Sequence, residues 1–321
     1  MKAVGEATNS DEEEAEAALR AVAEWSGSEL RYALAVPGVA SPVHRAVDSA
    51  CWAVRVGDGP PRCFLKVLHR DQIPYVDLAA AYDAAARAAQ QGCTPRPRHF
   101  LPEQRGIVFD LLDASWRTAR MDDLQNSDIL EKVIAAKQTI QGMAPFARTW
   151  SVFDGIRQMS ADLEKTGIAF AEDAWWLLDN LDDIEQALLG AGSDRKPCHA
   201  DGVSSNVMIA DSGSVQLVDF DRACNADPYY DLGILLNEAF QFEADMCPAL
   251  EIFEGTCRET SLNRCRLYGI ADDLMWAIWG TLMDAVSPRA SVEFLKYAQW
   301  RLLRCRMAVH DPGFEAMLRR L

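Results

Sequence analysis

One short hairpin among helices limits the fold of this chain more than any other feature. Asn206–Ala210 and Val215–Phe220 read as strands, and Asp211-Ser212-Gly213-Ser214 between them reads as a turn. A hairpin brings its two outer ends together. Those ends carry Asn206 and Asp219, and His199-Ala200-Asp201 enters the first strand. Asp201, Asn206 and Asp219 are therefore expected to converge.

The spacing His-x-Asp, then Asn five residues after that Asp, then a later Asp on the returning strand is specific as a set. It is the arrangement that kinase-type phosphoryl transfer requires. Asp201 can take a proton from a substrate hydroxyl. Asn206 and Asp219 can hold magnesium, which favours oxygen ligands and usually takes one or two carboxylates plus phosphate oxygens. Each piece alone is an ordinary turn or strand-end residue; the ordered set carries the inference.

Such chemistry needs a cation on the other side of a nucleotide. Lys66 lies in the apolar strand Cys63-Phe64-Leu65-Lys66-Val67-Leu68. Strand alternation turns it either to solvent or into a cleft. Asp83, on the helix that follows, is the acid expected to hold it.

Around these motifs the chain changes character once. Arg31–Val36, Val43–Val47, Cys51–Val56 and Arg62–Leu68 read as strands, followed by an alanine-dense helix over Leu78–Gln91 and strands near His99–Leu101 and Gly106–Leu111. After Asp113 helices dominate: Ile129–Ile140, Ser151–Gly167, Ala174–Leu189, Leu232–Phe242, Ala249–Cys257, Leu274–Val286 and Val292–Val309. The expected class is α+β. A tail and surface helix span 1–28, a small antiparallel-sheet lobe 29–112, and a mainly helical lobe with the catalytic loop 113–321. Residues 1–10 read as unstructured, and Asn9-Ser10-Asp11 as the cap of the first helix.

The formal net charge of −16 argues against nucleic-acid and anionic-membrane partners. Local cations and magnesium still allow a nucleotide. No segment approaches the roughly 18 apolar residues of a membrane span. Residues 1–24 carry Asp11, Glu12, Glu13, Glu14 and Glu16 and do not form a secretory leader. Nine cysteines, an odd number without a CxxC pair, fit poorly with a closed disulfide framework. Buried free thiols at Cys51, Cys63, Cys198 and Cys224 and a cytoplasmic location are expected.

Pro197-Cys198-His199-Ala200-Asp201 through Asn206, Leu217-Val218-Asp219-Phe220, and Asp227-Pro228-Tyr229-Tyr230-Asp231-Leu232 resemble the aminoglycoside phosphotransferase and choline kinase superfamily. The resemblance spans about residues 30–310 and is nearest to bacterial choline/ethanolamine kinases. It implies a protein-kinase-like fold of two lobes, with ATP and magnesium as cofactors. It implies that Asp201 is the base, that Asn206 and Asp219 bind the metal, and that His199 and Asp231 brace the catalytic loop. Lys66 would contact phosphates. Val108–Leu112, with Asp110 and Leu112, would form the hinge beside the adenine. Trp276 and Trp279, spaced i and i+3 on a helix, would share a face and cage a quaternary ammonium, with Glu238 as the acid. A helical Trp pair also serves as plain core packing.

Several positions depart from the family pattern. Ala200 stands where Asn or Gly is common, and Asp83 is one methylene shorter than the usual Glu. The nucleotide-covering segment Pro37-Gly38-Val39-Ala40-Ser41-Pro42-Val43 has one glycine, though Ser41 can still touch phosphate. Arg222 stands where choline kinases carry an aromatic cage residue; it would repel a quaternary ammonium and favour a carboxylate, phosphate or neutral hydroxyls. The expected activity is ATP- and magnesium-dependent phosphorylation of a small-molecule alcohol, with a choline/ethanolamine-type amino alcohol leading. A sugar or aminoglycoside-like acceptor, and a nucleotide-binding pseudokinase scaffold, are the alternatives.

Overall fold

The structure, a computed structural model of the chain, describes residues 1–41 and 44–321. It has two compact units, Met1–Thr118 with Ser205–Arg222 and Ala119–Ser204 with Ala223–Leu321. In chain order the strands are β1 (Lys2–Ala3), β2 (Leu30–Val36), β3 (Ser49–Val56), β4 (Cys63–Leu68), β5 (Pro97–Leu101), β6 (Gly106–Asp110), β7 (Trp116–Thr118), β8 (Lys196–Cys198), β9 (Val207–Ala210), β10 (Val215–Leu217) and β11 (Cys224–Ala226). The α-helices are α1 (Ser10–Ala21), α2 (Leu78–Gln90), α3 (Met121–Leu124), α4 (Ser127–Gln141), α5 (Val152–Thr166), α6 (Ala174–Ala191), α7 (Pro228–Ala239), α8 (Glu243–Glu254), α9 (Glu259–Val286), α10 (Phe294–Val309) and α11 (Phe314–Arg319). This is the expected α+β, protein-kinase-like fold of a sheet lobe and a helical lobe.

The first unit is built on an antiparallel sheet in the order β1-β2-β3-β4-β6-β5. Asn9 caps α1 by accepting from the Glu12 amide at 3.0 Å. Ala15, Ala18 and Leu19 of α1 pack with Tyr32, Trp52, Val54, Leu65 and Val67 of the sheet. Strand alternation then turns Phe64 and Lys66 to the opposite face. Lys66 is paired with Cys51 on one side and Ile107 on the other.

Residues 1–10 are more ordered than the sequence suggests. Lys2 and Ala3 pair with Tyr32 and Arg31, and the Lys2 amine lies 2.6 Å from Glu12. A two-residue strand leaves no periodicity to read. Within the expected strand Val43–Val47, residues 44–47 form no strand. Val39 and Arg45 exchange backbone hydrogen bonds of 2.9 Å, and Ala46 at φ 46° breaks the extended run. Pro42 and Val43, the end of the expected nucleotide-covering segment, lie outside the described residues.

β9 and β10 form the expected hairpin, with Val215 opposite Ile209 and Leu217 opposite Val207. It belongs to the first unit because β7 pairs with β9 and the Leu217 amide donates to the Cys93 carbonyl.

The second unit is helical apart from the β8–β11 pair. Its axis is α9, which begins well before the expected Leu274. Every residue from Leu267 to Met283 is buried, so no one-sided apolar stripe marks this helix. Asp272 and Asp273, which interrupt the apolar run, are both ion-paired with Arg301 of α10. Among the cysteines, Cys247 and Cys257 form one disulfide and the other seven are free. An odd count excludes complete pairing but not a single local bridge. No helix among the described residues is long and apolar enough to cross a membrane.

Candidate active site

The first unit holds a cavity of about 420 Å³. Its wall includes Ala35 and Val36 of β2, Phe64 and Lys66 of β4, Ile107, Phe109 and Asp110 of β6, Leu111, Leu112, and the hairpin ends at Asn206 and Asp219. This size and mostly apolar lining suit a small-molecule ligand.

Lys66 is the ionic centre of this cavity. Its amine lies 2.6 Å from Asp219 and 2.7 Å from Asp221. Burial alone would lower its pKa, but the two carboxylates outweigh burial and hold the amine above the ordinary lysine value. Burial and the neighbouring Asp219 push Asp221 up to about 7. Cys51, on the same wall, has its thiol pushed up to about 12 by burial, so it is no nucleophile.

The expected Lys66–Asp83 pair does not form. Asp83 is exposed and faces Arg87 at 3.7 Å. The buried side of α2 is Ala81, Ala84, Ala85 and Ala88, which leaves residue 83 off that stripe. Asp221, which the sequence reading passed over, takes the expected role beside Asp219.

The hairpin closes as its sequence requires. The Val218 amide donates to the Asn206 carbonyl at 2.9 Å, which puts Asp219 one residue from the pairing. Asp219 itself is left-handed at φ 67°. Among the described residues there is no cluster of three His, Cys, Asp or Glu side chains able to hold a metal. A hard divalent ion would instead use Asn206, Asp219 and ligand oxygens, a donor set that suits magnesium.

At the expected hinge, the Asp110 amide is committed to the Arg96 carbonyl and the Leu111 amide to the Arg62 carbonyl, both at 2.9 Å. The Asp110 carboxylate is paired with Arg98. Leu112 follows on the cavity wall. Ser41 is half-buried, and the wall of the covering turn is made by Arg45 and Ala46.

The second unit holds the His199-Ala200-Asp201 loop. Ala200 is left-handed at φ 59°, the conformation that Gly or Asn adopts most readily. Its amide donates to Asp231 at 2.9 Å. The Lys137 amine donates to the same carboxylate at 2.6 Å and to the Asp201 carbonyl at 3.0 Å. Burial opposes ionisation of Asp231, but Lys137 and His199 hold its pKa below the usual carboxylate range. The Asp201 carboxylate accepts from the Val203 amide at 3.1 Å, and the His199 ring nitrogen Nδ1 lies 3.2 Å from the Asp201 carbonyl. A Cβ added to Gly202 would fall 2.5 Å from the Ile234 carbonyl of α7, so the loop lies directly on helix backbone.

Lys137 was missed in the sequence reading. It sits on the buried stripe Leu130, Val133, Ile134, Lys137 and Ile140 of α4, and a lysine on such a stripe is the signal that could have found it.

The expected acceptor residues divide. Glu238 accepts from both the amide and the hydroxyl of Ser204, at 3.1 Å each, and so holds the end of the Asp201 loop. Trp276 and Trp279 meet edge to face at 5.1 Å, and Trp279, 1% exposed, also packs on Phe294 and Tyr297. That is core packing. Arg222 is buried in the first unit.

A model of the phosphotransferase enzyme family matches residues 41–268. The chain belongs to the phosphotransferase enzyme family. The superfamily implied by the motifs is thereby shown. Among solved structures, a choline/ethanolamine kinase family protein from Mesorhizobium loti is 20% identical, with 97% of this chain and 99% of that one covered at a TM-score of 0.76. Choline kinase from Streptococcus pneumoniae is 16% identical, with 83% and 89% covered at 0.70. Ethanolamine kinase from Plasmodium vivax is 14% identical, with 96% and 88% covered at 0.72. At these identities the likeness is one of fold. No curated protein matches.

Proposed function

We propose that this phosphotransferase moves the γ-phosphate of ATP to a hydroxyl of a small molecule. The observation that carries the reading is the buried amine of Lys66 set between Asp219 and Asp221, on a cavity wall that also includes Asn206. A strand lysine facing the phosphates and a metal-holding acid after a hairpin are parts of a kinase-type polyphosphate site. Asn206 and Asp219 would hold magnesium, which supplies charge neutralisation when bound. Leu112 would offer its amide to the adenine. Asp201 would take the proton of the attacking hydroxyl, and Asp231 with Lys137 would keep its loop in position. Catalysis of this kind rests on positioning and electrostatics more than on covalent steps.

The leading acceptor is a choline/ethanolamine-type amino alcohol, which the likeness to choline and ethanolamine kinases supports. Two observations favour the second reading, a sugar or aminoglycoside-like hydroxyl: Trp279 is enclosed by aromatic neighbours, and Glu238 is already engaged by Ser204. Release of ADP from ATP and magnesium should be measured against choline, ethanolamine, hexoses and aminocyclitols. One class should raise turnover. If none does while ADP still binds, the nucleotide-binding scaffold replaces the enzyme.

A further inference from the structure

The geometry points to Arg45 as the phosphate-binding cation of the nucleotide-covering turn, in place of the backbone amides that a glycine-rich loop would present. This rests on the nucleotide reading of the cavity. Arg45 is on the returning arm of that turn, fixed by its backbone exchange with Val39, and it lines the cavity with Lys66. Its Nε is buried and has no hydrogen-bond partner. An unsatisfied buried donor on a charged group is expensive, and a native structure retains one where a ligand completes it.

The charge balance of the cavity supports the same assignment. Lys66 is shared by two aspartates, so its charge is already countered within the protein. Asp110 is occupied by Arg98. Arg117, the other guanidinium on the wall, is exposed, and it donates to the Thr118 carbonyl at 3.4 Å. A polyphosphate entering this cavity meets a guanidinium at Arg45 that no carboxylate has claimed. Its planar fork can take two phosphate oxygens at once.

The turn is shaped to hold that side chain. Ala46 is left-handed at φ 46°, a conformation that a residue bearing Cβ adopts at some strain. A Cβ added to Gly38 would fall 2.9 Å from the Ala46 carbonyl. The single glycine of the turn thus lets the two arms close on each other, and that closure presents Arg45.

The test is titration calorimetry of the full chain and its Arg45→Ala and Arg45→Lys variants with ADP and with adenosine, magnesium present. Arg45→Ala should weaken ADP by about ten-fold to a hundred-fold, the size of a lost charged hydrogen bond. Adenosine affinity should stay within about two-fold, which also reports an intact fold, and Arg45→Lys should recover part of the loss. Equal loss for ADP and adenosine, or no loss for either, would overturn the assignment alone. If the unaltered protein binds neither ligand, the nucleotide reading falls and this inference falls with it.

Discussion

The amine of Lys137 and the carboxylate of Asp231 lie 2.6 Å apart, both sealed from water, and the same two groups bond the backbone of Ala200 and Asp201. The loop that carries Asp201 therefore rests on a buried ion pair. Breaking a buried pair leaves an uncompensated charge and destabilises by roughly 3–5 kcal/mol. Lys137→Met should lower the free energy of urea unfolding by that amount, and Lys137→Met with Asp231→Asn should recover much of it. Equal stability of the single variant and the parent would mean that the pair does not carry the loop.

Ala200 sets a second expectation. A side chain bearing Cβ in the left-handed region is strained by about 1–2 kcal/mol, and glycine relieves this at some entropic loss in the unfolded chain. Ala200→Gly should raise stability by about 0.5–1 kcal/mol, read from the urea midpoint, with turnover retained. A loss of stability would show that the loop gains nothing from glycine at this position.

Gly202 has no such room for change. Its added Cβ would meet backbone of Ile234 and Leu235, which cannot yield as a flexible side chain would. Gly202→Ala should push the Asp201 loop away from α7 and lower turnover by more than about ten-fold, since misplacement near 1 Å can lower rates about 100-fold. ADP affinity should hold. Normal turnover would show that the contact is not needed.

Asp83 gives the contrasting case. Its carboxylate is exposed and lies 3.7 Å from Arg87. Exposed pairs contribute about 0–1 kcal/mol. Asp83→Ala should leave stability within about 0.5 kcal/mol and ADP affinity within about two-fold. A large loss of ADP affinity would restore the pairing with Lys66 inferred from the sequence.

The parts of this molecule that could be read from its sequence are those governed by local rules. Strand alternation and a turn defined the β9–β10 hairpin, and Asn9 marked the start of α1. The motif His199-x-Asp201, Asn206 and Asp219 pointed to the family because its spacing is short and fixed. Tertiary choices were harder. The sequence marks Lys66, but its partners come from beyond the hairpin, at Asp219 and Asp221, and not from the next helix; Asp219 is 153 residues further along. The face of α2 decided this, since the alanine stripe turns Asp83 outward. The stretch of α9 from Leu267 is buried on all sides and so has no polar face to give it a period. Glu238 was assigned to the acceptor by its place after Asp231, yet its hydrogen bonds go to Ser204.

The central claim is that Asp201 acts on the acceptor hydroxyl while Lys66, Asn206 and Asp219 hold the nucleotide. Asp201→Asn tests it most directly, with ADP release and ADP affinity measured on the same preparation. The account predicts a loss of turnover of at least about 100-fold with ADP affinity nearly unchanged. Retained turnover, or parallel collapse of both, would contradict it.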